Sequence, residues 1–162
     1  MPESFLVIPM TDSSAIKEDL KHLPSLQLIR SLKDIGTSKS LAKFGDSVTN
    51  FIFSLAKTLI LGQFDQRKVS KKVLAQALKD AGLKPYAKTR SDAHAFADTA
   101  EAFIGYMYAV HSWSVETMAE ILLVSLQDGK YDLNDFKQET NGATISFAVL
   151  LKKIKEYLEP LF

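Results

Sequence analysis

Apolar residues recur every three or four positions along most of the chain, and that spacing predicts helices. Leu26, Ile29, Leu32 and Ile35 form one such series, with Gly36 as its stop. A long helix is expected from about Ser40 to Leu61, carrying Phe44, Val48, Phe51, Ile52, Leu55 and Leu59 on one core stripe, with Gly62 after it. The next begins at Ser70, a good N-cap, and ends at Gly82. Pro85 biases Lys84 away from helix, so Lys84 to Arg90 reads as a basic loop. Further helices are expected from Ser91 or Asp92 to about Val110, from about Ser114 to Gln127, and from about Ala143 to Leu158. Asp128 to Gly142 reads as the longest polar connection, and about the first fifteen residues as loose. Apolar and polar residues nowhere alternate long enough for a convincing strand. The expectation is an all-α fold in one domain spanning residues 1–162.

Composition narrows the classes available. A chain of 162 residues buries a sizeable core without covalent staples. Cysteine is absent, which excludes disulfides and thiolate metal sites and makes a reducing compartment the default. The apolar runs are too short to cross a bilayer, and no basic segment precedes the Phe5–Met10 stretch. A cytoplasmic protein with no membrane role is therefore expected. Net charge is only +1, but it is segregated. Between Gln66 and Arg90, eight basic residues stand against the single acid Asp80, a local balance of +7. From His111 to Asn141 the balance is −4. Such a basic stretch either attracts a polyanion to one face or is simply a solvated helix.

Two short segments place acids in otherwise apolar or small surroundings. They are Phe44-Gly45-Asp46-Ser47-Val48 and Asp98-Thr99-Ala100-Glu101-Ala102-Phe103-Ile104-Gly105-Tyr106. Ionised carboxylates are costly to desolvate without a cation or several donors. Asp98 and Glu101, three apart, share a helix face. The small residues Ala93, Ala95, Ala97, Ala100, Ala102 and Gly105 let a second helix approach closely. If that helix carries Asp46, the three acids meet around one hard cation, for which Mg²⁺ is the natural choice. The competing reading is that Asp46 and Glu101 merely cap a helix or pair with a lysine.

Both segments resemble the signature stretches of the ribonuclease III endonuclease domain. The first family pattern, approximately E-x-x-E-F-L-G-D-S/A-V-L, meets Lys39-Ser40-Leu41-Ala42-Lys43-Phe44-Gly45-Asp46-Ser47-Val48-Thr49 here. The second, approximately D-x-x-E-A-L-I-G-A-I-Y, meets Asp98 through Tyr108. The resemblance implies a helical bundle that forms a homodimer and cuts double-stranded RNA, each subunit hydrolysing one strand. It implies Asp46, Asp98 and Glu101 as metal-binding acids, Asp46 and Glu101 as catalytic, and Mg²⁺, or Mn²⁺ in its place, as cofactor. Structured precursor RNA is the expected substrate. One departure is plain: the two glutamates of the first pattern are Lys39 and Ala42. The short Mini-III branch similarly lacks the first-motif acid and has no separate RNA-binding domain. About fifty residues follow the second motif here, and they read as helices. The departure keeps a second reading open, a non-catalytic relative that binds or helps to process RNA.

Without an accessory domain, affinity for a duplex would come from lysines and arginines that displace counterions. Lys84, Lys88 and Arg90 of the basic loop are the candidates, helped by Lys71 and Lys72. Lys43 reads as solvent-facing. His22, His94 and His111 have no zinc-like spacing, and Asp128 to Glu139 lacks the glycine of a calcium loop. Trp113, Tyr106, Met107 and Tyr108 read as core or dimer interface.

Overall fold

In a computed structural model, which describes residues 14–162, the chain forms seven α-helices and no strand among the described residues. They are α1 (Ser14–Lys21), α2 (Leu32–Gly36), α3 (Lys39–Leu61), α4 (Lys71–Asp80), α5 (Ala93–His111), α6 (Val115–Gly129) and α7 (Phe136–Leu158). The expected looseness of the chain's start falls largely on residues 1–13, outside the described residues, as does the Phe5–Met10 stretch. No described helix is long and apolar enough to cross a membrane.

Helix starts follow local chemistry closely. Ser38, Ser70, Asp92, Ser114 and Asp135 each accept a hydrogen bond from the backbone N–H three residues ahead, satisfying a donor the helix cannot. Gly62 ends α3 with φ of 71°. Helix α5 runs through the centre, packed against α3 and α4 and lined by Phe96, Phe103, Ile104 and Met107. Facing residues of the shared core include Ile52, Phe53, Leu78, Leu122, Phe147 and Leu150.

Three expectations are corrected. The Leu26–Ile35 series is not one helix: Pro24–Leu28 makes a 3-10 turn, and α2 restarts at Leu32 behind the Ser31 cap. On α3 the buried stripe is Leu41, Ala42, Gly45, Val48, Thr49, Ile52, Phe53 and Ala56. Phe44, Phe51 and Leu59 lie instead on the exposed side. The stripe is turned because α3 must set Gly45 against the α5 backbone, which carries Leu41, Val48, Ile52 and Phe53 inward and leaves Phe44, Phe51 and Leu59 outside. Finally, half of the expected polar connection is helix. Asp135 caps α7, whose first turns carry Gln138, Glu139, Thr140 and Asn141. Glu139 is buried there because Lys57 and Arg67 meet its carboxylate. A residue that looked like loop polarity is an ion pair in the core.

Two glycines fix how the central helices cross. A Cβ on Gly45 would stand 1.8 Å from the carbonyl oxygen of Glu101, and one on Gly105 would stand 3.1 Å from Gly45 Cα. The first space admits no side chain, and the second is tight enough that the facing backbone would have to shift. This contact lays the residue after Gly45 beside Glu101.

Candidate active site

That crossing brings Asp46 of α3 against Glu101 of α5. Glu101 is 1% exposed, and its Oε1 accepts a hydrogen bond from Lys71 Nζ at 2.6 Å. Its Oε2 is buried with no hydrogen-bond donor. Burial chiefly, and then the adjoining Asp46 carboxyl, push Glu101 up to about 8. Asp46 moves the other way. The adjoining Glu101 carboxyl lowers it, against a burial cost, and Lys71 and Asn50 add to the lowering. The opposite shifts mean that the pair takes up a proton more readily at Glu101 than at Asp46. A buried oxygen with no donor becomes comfortable only with that proton or with a cation.

Asn50 fixes this side of the site. It donates from Nδ2 to Asp46 Oδ1 at 3.2 Å and accepts from the Val69 N–H at 2.8 Å. One side chain therefore orients Asp46 and pins the segment leading to the Ser70 cap. Lys71 follows that cap and reaches inward. Burial works against its charge, but the bond to Glu101 and the fields of Glu101, Asp46 and Asp98 more than offset this and raise its pKa. Asp98 is half-exposed, with its Oδ1 3.8 Å from Lys71 Nζ.

The three sequence-predicted acids are thus not equivalent in space. Asp46 and Glu101 are in contact, whereas Asp98 stands on the far side of Lys71. No three acidic or histidine side chains among the described residues converge closely enough to cage an ion. The alternative weighed from sequence, a glutamate paired with a lysine, describes the Glu101–Lys71 contact. Ala42 is buried and supplies no oxygen. Lys71, expected on an RNA-facing surface, is turned toward the acids.

Of the remaining basic candidates, Lys88 shares a groove with an acid of the cluster. Lys88 lines a shallow groove with Asp98, Lys39 and Ser38, and also a neighbouring hollow with Lys84, Arg90 and Lys33. Arg90 takes φ of 60°, a left-handed conformation that costs a non-glycine residue energy. Lys84 reaches over the Phe96 ring. On the other side, Ser47 and Asn50 share a cleft with Arg67 and Lys68. Lys72 lines a separate groove between α4 and α7. Sequence reasoning missed Lys39, Arg67, Lys68 and Asn50. For Lys39 and Lys68 the signal was present, since both are basic residues next to a motif or inside the basic stretch. Nothing in the sequence marked Asn50.

The family model described as Ribonuclease III matches residues 39–160, three-quarters of the chain and both acid-bearing helices. The chain belongs to the ribonuclease III family. No match was found among curated proteins. Membership supports a ribonuclease-type domain of a family that acts on double-stranded RNA and generally depends on a divalent metal.

The donor set suits such a metal in kind. Asp46 and Glu101 offer hard carboxylate oxygens, one of them buried without a partner. Magnesium needs only one or two carboxylates when water and phosphate complete its shell. The residues fit an ion that arrives partly hydrated and takes further oxygens from substrate, rather than one held in an all-protein cage.

Proposed function

We propose that this ribonuclease III family member is a Mg²⁺-dependent endoribonuclease that hydrolyses phosphodiester bonds in double-stranded RNA, processing structured precursor RNA as a homodimer. The observation that carries the reading is the buried, donorless Oε2 of Glu101 set against Asp46. Such an arrangement is costly in a merely structural residue and useful in one that waits for a cation.

In this reading Asp46 and Glu101 would hold the ion, with Asp98 beyond Lys71 at the edge of the site. A bound Mg²⁺ supplies polarisation of the phosphate and a water of lowered pKa. The chain's residues do the rest. Asn50 keeps the Asp46 carboxylate turned to the reacting phosphate. Glu101, whose pKa burial raises, would have to be ionised to hold the ion. Lys39, Lys88 and Arg90 on one side, with Arg67 and Lys68 on the other, draw the RNA backbone across the acids without reading bases. The exposed Phe44, Phe51 and Leu59 offer an apolar line for the second subunit.

A second reading, an RNA-binding relative that does not cut, is favoured by Ala42 and by the inward-turned Lys71. Incubation of the purified chain with duplex RNA, with Mg²⁺ or with chelator, separates the two. Metal-dependent cutting that falls by about a hundredfold or more in Asp46→Asn supports the enzyme, in line with loss of a charge-stabilising group. Salt-sensitive duplex binding with no cutting at any Mg²⁺ concentration sinks it in favour of the second reading.

A further inference from the structure

Lys71 is mounted rather than loose. The Ser70 side chain caps α4, Asn50 holds Val69, and the lysine enters the cluster directly from that fixed start. Its ammonium lies 2.6 Å from Glu101 and 3.8 Å from Asp98, so one cation already bridges the two acids of α5. Where the first motif's pattern has acids, the chain has Ala42 and Lys39, and Lys39 lines the groove that holds Asp98. Acids are fewer and cations more numerous than the motif would give. Each change acts in the same direction, against a divalent ion.

We propose that Lys71 is a resident cation of the acid cluster, and that a divalent ion binds only by displacing its ammonium from Glu101 and Asp98. The inference rests on the metal-dependent reading above and deepens it. While the site is empty of RNA the ammonium occupies the place beside the acids that a metal would need, and it sets a low affinity for free metal. Loading then depends on the phosphate oxygens that substrate brings. Once displaced, the ammonium stays within its side chain's length of the cluster, where it is free to pair with the RNA backbone.

Mn²⁺ alone, titrated into the RNA-free full-length chain and followed by the electron paramagnetic resonance of the free ion, tests this. Lys71→Met should bind Mn²⁺ tighter than wild type by about tenfold or more, about 1.4 kcal/mol. Lys72→Met, which removes equal charge from the neighbouring position, should match wild type. Asp46→Asn should abolish binding in either background. If Lys71→Met binds no tighter while Asp46→Asn still abolishes binding, the displacement idea fails and the metal-site reading stands. If Asp46→Asn changes nothing, or no variant binds Mn²⁺, both fail together. A measurement on wild type guards against a misfolded variant. With lysine side chains labelled at ¹³Cε, Mg²⁺ should move the Lys71 signal toward that of a free lysine and leave Lys72 in place. An unmoved Lys71 signal at saturating Mg²⁺ overturns the proposal.

Discussion

Glu101 and Glu139 are both almost fully buried, on different helices, and both meet cations, yet their surroundings differ in one respect. Both oxygens of Glu139 are satisfied: Lys57 Nζ lies 2.5 Å from Oε2 and Arg67 Nε lies 2.7 Å from Oε1. Asp65, 3.2 Å from Lys57, completes the group. Glu101 has one cation on one oxygen, nothing on the other, and a second acid alongside. The first arrangement closes on itself and locks α7 to the end of α3. The second is incomplete, and its missing partner is a positive charge. Depth of burial does not separate these two carboxylates; whether both oxygens have partners does.

The largest expected effect breaks the complete cluster. Glu139→Ala leaves the buried Lys57 with only the part-exposed Asp65 and frees Arg67, itself about a third exposed, and should cost about 3 kcal/mol, the low end of what removing one partner from a buried pair costs. Thermal unfolding should show a midpoint lower by roughly ten degrees, at about 2–4 °C per kcal/mol. A drop of a degree or less would mean that the two glutamates are not distinguished by satisfaction. Arg67 also borders the cleft beside Asp46, so cutting should weaken through the loosened loop as well.

An opposite sign is expected at the incomplete cluster. Folding raises Glu101 from its ordinary 4.5 to about 8, so the native state prefers the protonated form. Its contribution is fully present below about pH 4.5 and is lost as pH rises through 8. Glu101→Gln keeps a neutral group of the same shape. In chelator, this variant should gain stability over wild type by several degrees between pH 5 and 8, the gap widening with pH, while losing cleavage. A gap that stays constant across this range would show that Lys71 alone neutralises Glu101.

The smallest effect belongs to Asp98, whose exposed pairing with Lys71 at 3.8 Å is of the kind that contributes little to stability. Asp98→Asn should leave the unfolding midpoint within about a degree, since surface changes of this sort fall within ±0.5 kcal/mol. Its cleavage rate should nonetheless fall. Unchanged cleavage together with unchanged stability would remove Asp98 from the site.

Much of this molecule was legible in the order of its residues. The caps at Ser70, Asp92 and Ser114 fixed three helix starts to within a residue, because a side-chain oxygen three positions before an N–H is a local matter. The two acid-bearing segments and the family they belong to were equally local, being runs of ten residues or fewer. Gly45 and Gly105 announced a close helix approach, although not which backbone atoms would meet.

Other features depended on partners distant in sequence. Which face of α3 is buried was decided by α5, since the sequence offers two apolar lines and only packing selects the one with small residues. Glu139 read as loop because the cations that hold it lie eighty-two and seventy-two residues earlier, at Lys57 and Arg67. Lys71 read as an RNA-facing base, and thirty residues separate it from the glutamate that turns it inward. Residue order settles what neighbours along the chain can settle, namely helix ends, small-residue contacts and motif chemistry. The pairing of buried charges is a property of three-dimensional packing, because desolvation and Coulomb attraction are decided by whichever groups the fold brings within a few ångströms.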